Sequence, residues 1–110
     1  MNMASAASQS GWQVNEHGAS PALKVILHRA SYVLPWSQFL YAEGGDDELR
    51  LVFATHDVQV KGTGLSALLT DVAAHRLAAL VEPANRDRFS SRGGAYVREL
   101  MVRQAGQPGE

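Results

Sequence analysis

Between Leu23 and Arg103 the chain changes its hydrophobic period several times. Leu23, Val25 and Leu27 alternate with Lys24, Ile26 and His28 in a run rich in β-branched residues. A period of two marks a strand. Tyr32-Val33-Leu34 either continues it past a bulge or begins another strand, and Pro35, which has no N–H to give to a ladder, stops it. Trp36-Ser37-Gln38 reads as a corner and Phe39-Leu40-Tyr41-Ala42 as a short strand. Glu43 to Glu48 is the clearest turn, two glycines able to reach positive φ set among solvated carboxylates. Beyond it Leu49, Leu51, Phe53 and Thr55 alternate with Arg50, Val52, Ala54 and His56, a half-buried strand. A hairpin pairing residues 39–43 with 48–54 follows. After a tight turn at His56-Asp57, Val58 and Val60 alternate with Gln59 and Lys61, which completes a meander.

The period then changes. After Gly62-Thr63-Gly64, the residues Leu65, Leu68, Leu69, Val72 and Ala73 form one apolar stripe at helical spacing, with Arg76 near the negative end of the dipole. The helix either runs on through Leu77-Ala78-Ala79-Leu80 or gives way to a strand at Leu80-Val81, and Pro83 ends whichever forms. Residues 84–94 are a polar loop, and Tyr96, Arg98, Leu100 and Val102 alternate with Val97, Glu99, Met101 and Arg103 in a final strand. Strands in a run before one helix predict an α+β domain: a small curved antiparallel sheet, a β-meander, with one main helix packed on one face and a C-terminal strand. Residues 1–20, rich in Ser, Ala, Asn, Gln and Gly, are expected to be a disordered or loosely ordered tail. Residues 21–104 form a single domain, and 105–110 fray.

Composition narrows the functions. With roughly 80 residues for a core, such a domain buries only about 60 to 65% of its chain surface, so self-association would help it. Ten Lys plus Arg against eleven Asp plus Glu leave a net charge of −1. Nucleic-acid modules take most of their affinity from phosphate neutralisation, so this balance counts against nucleic acid as a partner and leaves only a local patch for it. The absence of cysteine removes disulfides, thiolate catalysis and cysteine-ligated zinc. The first residues do not read as a secretory signal, and the apolar runs fall far short of the roughly 20 residues that span a bilayer. A soluble, cytoplasmic protein is the expectation, with no membrane partner.

No catalytic constellation emerges. His28, His56 and His75 lack the spacing that places two ligands on one metal, and adjacent His56 and Asp57 point to opposite faces of a strand. None of the serines sits in a nucleophile elbow. Asp46, Asp47 and Glu48 do not follow the calcium-loop pattern and read as a solvated hairpin tip. The chain is therefore expected not to be an enzyme, and to need no metal and no cofactor.

Two binding features remain. Tyr32, Trp36, Phe39 and Tyr41, half of the eight aromatics, lie within ten residues. Trp and Tyr are enriched at the energetic centres of interfaces. A small sheet also leaves an unpaired edge, which a second copy can cover. This predicts a non-catalytic protein-interaction module that forms a homodimer or larger homo-oligomer, or takes another protein as partner. The alternative is an RNA- or nucleotide-binding domain. Arg86, Arg88, Phe89 and Arg92 would clamp phosphates and stack a base. Lys61 with Gly62, Thr63 and Gly64 would hold an anion at a helix N-terminus. The Gly-Thr-Gly segment matches neither a phosphate-binding loop of the Walker type nor a dinucleotide fingerprint in its proper setting, and reads first as a joint between strand and helix.

Overall fold

The computed structural model describes residues 11–84 and 95–105. The elements are β1 (Trp12–Val14), β2 (Ala22–Ile26), β3 (Ser31–Pro35), a 3-10 turn (Trp36–Gln38), β4 (Phe39–Gly44), β5 (Glu48–Phe53), β6 (His56–Thr63), α1 (Ser66–Ala73), β7 (Leu77–Val81) and β8 (Tyr96–Gln104). Eight strands and one helix among the described residues agree with an α+β domain in the broad sense.

The expected meander forms. β4 and β5 pair antiparallel from Phe39↔Phe53 to Gly44↔Leu49, and β6 pairs with β5 through Leu49↔Val60 and Leu51↔Val58. The C-terminal strand β8 extends the sheet along β6, giving the order β4-β5-β6-β8.

The expectation of one antiparallel sheet is corrected by a second four-stranded sheet, ordered β1-β7-β2-β3. Its hairpin β2–β3 is antiparallel, but β7 lies parallel to β2, through Lys24↔Ala79 and Ile26↔Val81. The physical reason lies at Pro35 and Trp36. Proline ends the β3 ladder, the 3-10 turn redirects the chain, and the meander starts a new layer instead of extending the old one. Trp12–Val14, within the segment read as a tail, pairs with β7 as the outer strand of this second sheet.

Apolar faces of both sheets meet in one buried cluster. Leu23, Val25, Leu34, Leu77 and Leu80 come from one sheet; Leu49, Leu51, Phe53, Val58, Val60 and Leu100 come from the other. α1 adds Leu68 and Val72, two residues of the predicted stripe, with Leu65 buried just ahead of it. Leu69 is half-buried and Ala73 exposed, so the stripe is narrower than its spacing implies.

The helix stops at Ala73, which settles the alternative over residues 77–82 in favour of a strand. The His75 N–H donates to the Val72 carbonyl (2.9 Å) and the Arg76 N–H to the Asp71 carbonyl (2.8 Å), the bond pair of a Schellman cap. Such caps favour glycine at the left-handed position, yet His75 occupies it at φ 55°. Its imidazole stacks on the Trp36 ring (4.9 Å between centroids, 10° between planes) and meets Phe39 edge-on at 5.8 Å. Trp36 is buried, packs against Phe39 and Phe53, and donates its Nε1–H to the Leu77 carbonyl at 3.0 Å.

Replacing Trp36 by Phe keeps an aromatic ring but leaves that buried carbonyl without its donor. A loss of about 1–3 kcal/mol is expected in urea unfolding, and a variant as stable as the parent would show that water or another donor serves Leu77.

Candidate functional site

The joint between β6 and α1 is built by close backbone approach. A ladder irregularity falls between Lys61 and Gly62, and a Cβ on Gly62 would collide with the Tyr96 carbonyl oxygen of β8. Gly64 takes φ 66°, where a Cβ would also lie 2.9 Å from the Ala95 Cα. Glycine at both positions is thus accounted for by the local backbone.

The helix start is met by a carboxylate of the chain itself. The Ser66 hydroxyl and N–H both donate to Asp46 Oδ1, at 2.9 and 3.3 Å. The Leu65 N–H donates to the Asp46 carbonyl (2.9 Å), and the Gly62 N–H to the Asp47 carbonyl (3.0 Å). The β4–β5 turn therefore reaches across to the positive end of the α1 dipole and supplies both an acceptor and a negative charge. The Ser66 hydroxyl, then its N–H, hold the Asp46 carboxyl below the ordinary carboxylate range. In the sequence Asp46 reads as part of a solvated hairpin tip, because it stands 20 positions before the residue it serves.

Lys61 is exposed on β6, across from Glu48 on β5 and from Glu99 on β8. A shallow depression of about 470 Å³ beside it is lined by Asp47, Glu48, Lys61, Gly62, Thr63, Arg98 and Glu99, so carboxylates outnumber cations there. Arg86, Arg88, Phe89 and Arg92 lie outside the described residues.

The four aromatics singled out from the sequence are not one surface. Trp36 belongs to the core, Phe39 is half-buried against Trp36 and Phe53, and Tyr32 is half-buried with its ring 5.4 Å from that of His56. Tyr41 alone of the four is exposed. His56 and Asp57 do face apart: the imidazole meets Tyr32, while the Asp57 carboxylate binds Arg50 at 3.0 Å. Arg50 also pairs with Glu43 at 3.0 Å, which makes a three-residue charge cluster on the outer face of the meander. Among the described residues, no group of three His, Asp or Glu is arranged to hold a metal ion, and no helix is long and apolar enough to cross a membrane.

What sequence reading missed is where the exposed apolar surface lies. Among the described residues the large exposed hydrophobics are Val33 (63%), Leu40 (61%), Tyr41 (46%) and Met101 (46%). Val33 is on β3, Leu40 and Tyr41 are on β4 and Met101 is on β8, the outermost strands of their sheets among the described residues. A strand edge offers a row of backbone donors and acceptors, and apolar side chains along it give a partner strand something to pack on.

Gly62→Ala is expected to destabilise the fold by more than about 1 kcal/mol in urea unfolding, because the collision is with backbone that cannot swing aside. Asp46→Ala is expected to lower the urea midpoint at pH 7. Folding lowers the pKa of this carboxyl, so its contribution is complete above the unfolded value of about 3.9 and is lost as the pH falls through the lower folded value. The gap between wild type and variant should therefore narrow below about pH 4; a gap constant down to acid would assign the effect to something other than the carboxylate. The chain matches no family model, no curated protein and no solved structure.

Proposed function

We propose that this protein is a non-catalytic binding module that associates with itself through its sheet edges. The observation that carries the reading is the location of Val33, Leu40, Tyr41 and Met101: among the described residues, each large exposed hydrophobic stands on an edge strand. Apolar side chains beside unpaired backbone groups are the chemistry of strand addition, in which main-chain hydrogen bonds hold the partner and side chains select it. The small core adds a reason to associate, since a domain of this size buries a modest share of its surface alone.

The nucleic-acid alternative draws less support. The donors at the start of α1 are engaged by Asp46, and Lys61 stands between two carboxylates. Its remaining basis is the arginine loop.

Solution mass by light scattering, on protein purified without nuclease, separates the two. The expected result is a species of at least twice the 11.9 kDa chain with no excess absorbance at 260 nm. A monomer without nucleic acid would remove the self-association. A monomer that carries nucleic acid and releases it in high salt would replace this reading with the alternative.

A further inference from the structure

Among the described residues the two sheets have four edges, and these differ in fitness for pairing. β1 has three residues and a ladder irregularity between Gln13 and Val14. β3 ends in Pro35, which has no N–H. β4 is interrupted at Leu40, where the register shifts between Phe39 and Tyr41. Such features protect an edge from addition. β8 is the longest strand, at nine residues, and among the described residues it is laddered on one side only, by β6. Its register is regular from Glu99 to Gln104.

Which backbone groups of β8 point away from β6 can be identified from one bond. The Ala105 N–H donates to the Thr55 carbonyl at 2.9 Å, toward the β6 side. In an antiparallel ladder the N–H and C=O of one residue point the same way, and successive residues alternate. The backbone groups of Leu100, Val102 and Gln104 therefore point away from β6. The side chains of Glu99, Met101 and Arg103 share the outer face, while Leu100 and Val102 stand across from Val60 and Val58 on the inner one.

Resting on the reading of the chain as a self-associating module, we infer that β8 pairs antiparallel with β8 of a second copy about a two-fold axis at Met101, joining two four-stranded sheets into one of eight. In this register Leu100 and the partner's Val102 exchange backbone hydrogen bonds, as do Val102 and the partner's Leu100. Met101 meets its own symmetry mate, and Glu99 stands opposite the partner's Arg103 twice over. Both charged pairs occupy non-hydrogen-bonded positions, where facing side chains are closest. The charges also continue a row within each copy. Glu48, Lys61 and Glu99 are cross-strand neighbours, and so are Arg103 and Asp57. Across the axis the signs alternate without a break.

Other two-fold registers lose this match. An axis at Glu99 sets carboxylate on carboxylate, and one at Arg103 sets guanidinium on guanidinium, both unfavourable. An axis at Leu100 or Val102 places Met101 opposite a charge. The strand is complementary to itself about Met101.

The test uses the full chain, which has no native cysteine. Met101→Cys should form a disulfide-linked dimer under mild oxidation, because directly opposed residues in such a pair have Cα atoms about 4.5 Å apart, within disulfide reach. Leu40→Cys, on the bulged β4 edge, serves as the control and should link far less. Glu99→Arg and Arg103→Glu should each weaken the dimer by about tenfold or more, and the double variant should recover to within about threefold of wild type. Were the charges acting only within one copy, against Lys61 and Asp57, the double variant would be the worst of the three. A dimer in solution that neither links through Met101→Cys nor recovers in the double variant would overturn the β8 interface while leaving self-association standing. A monomer at every concentration would overturn both.

Discussion

The indole of Trp36 ties together two of the places where the chain changes layer: from β3 to β4, and from β6 through α1 to β7. It stands immediately after Pro35, where β3 of one sheet gives way to β4 of the other. Its ring stacks on His75, the residue that turns the end of α1 toward β7, and its Nε1–H holds the Leu77 carbonyl at the start of that strand. Around it Phe39 and Phe53 close the corner of the meander. Placing the histidine in a left-handed conformation costs free energy that glycine would not incur, and aromatic stacking offsets it in part. Without this ring the first sheet would lose its link to the second at one corner and to the helix at another.

The same dependence explains what could be read along the chain. Alternation identified β2, β5, β6 and β8: β2 and β6 bury every second residue, while β5 adds a buried Val52 on its other face and β8 opens on two adjacent buried residues, Tyr96 and Val97. The Gly44-Gly45 turn and the helix start after Gly64 were equally legible, since both rest on local backbone requirements. Partition into two sheets was not. A period of two says which side chains face inward but carries no information about which strand lies alongside. The parallel pair β2 and β7 joins Lys24 to Ala79, far apart in sequence. The end of the helix was hidden for a related reason: Leu77 and Leu80 suit either a helix face or a strand, and the deciding residue was a histidine where glycine is the usual signal.

The candidate surface was legible in kind but not in place. Clustered aromatics pointed to contact, yet Trp36 and Phe39 make theirs inside the molecule. Open edges were expected, but which strands bear them depends on sheet order, and only then do Val33, Leu40, Tyr41 and Met101 become a common feature. The charge pattern of β8 was visible from the start as an ordinary amphipathic alternation. Its meaning changes once Glu99 and Arg103 are seen to flank Met101 symmetrically on an outermost strand.

The capping of α1 by Asp46 also makes the helix depend on a distant part of the chain. A helix of eight residues is too short to persist in water by itself, since nucleation costs more than so few bonds return. Its first donors are met by the β4–β5 turn, and its last turn is completed where His75 lies on Trp36. Both supports come from earlier in the chain. The helix therefore owes its stability to the closed hairpin and the placed indole. It is a dependent element, a lock on contacts made elsewhere in the chain.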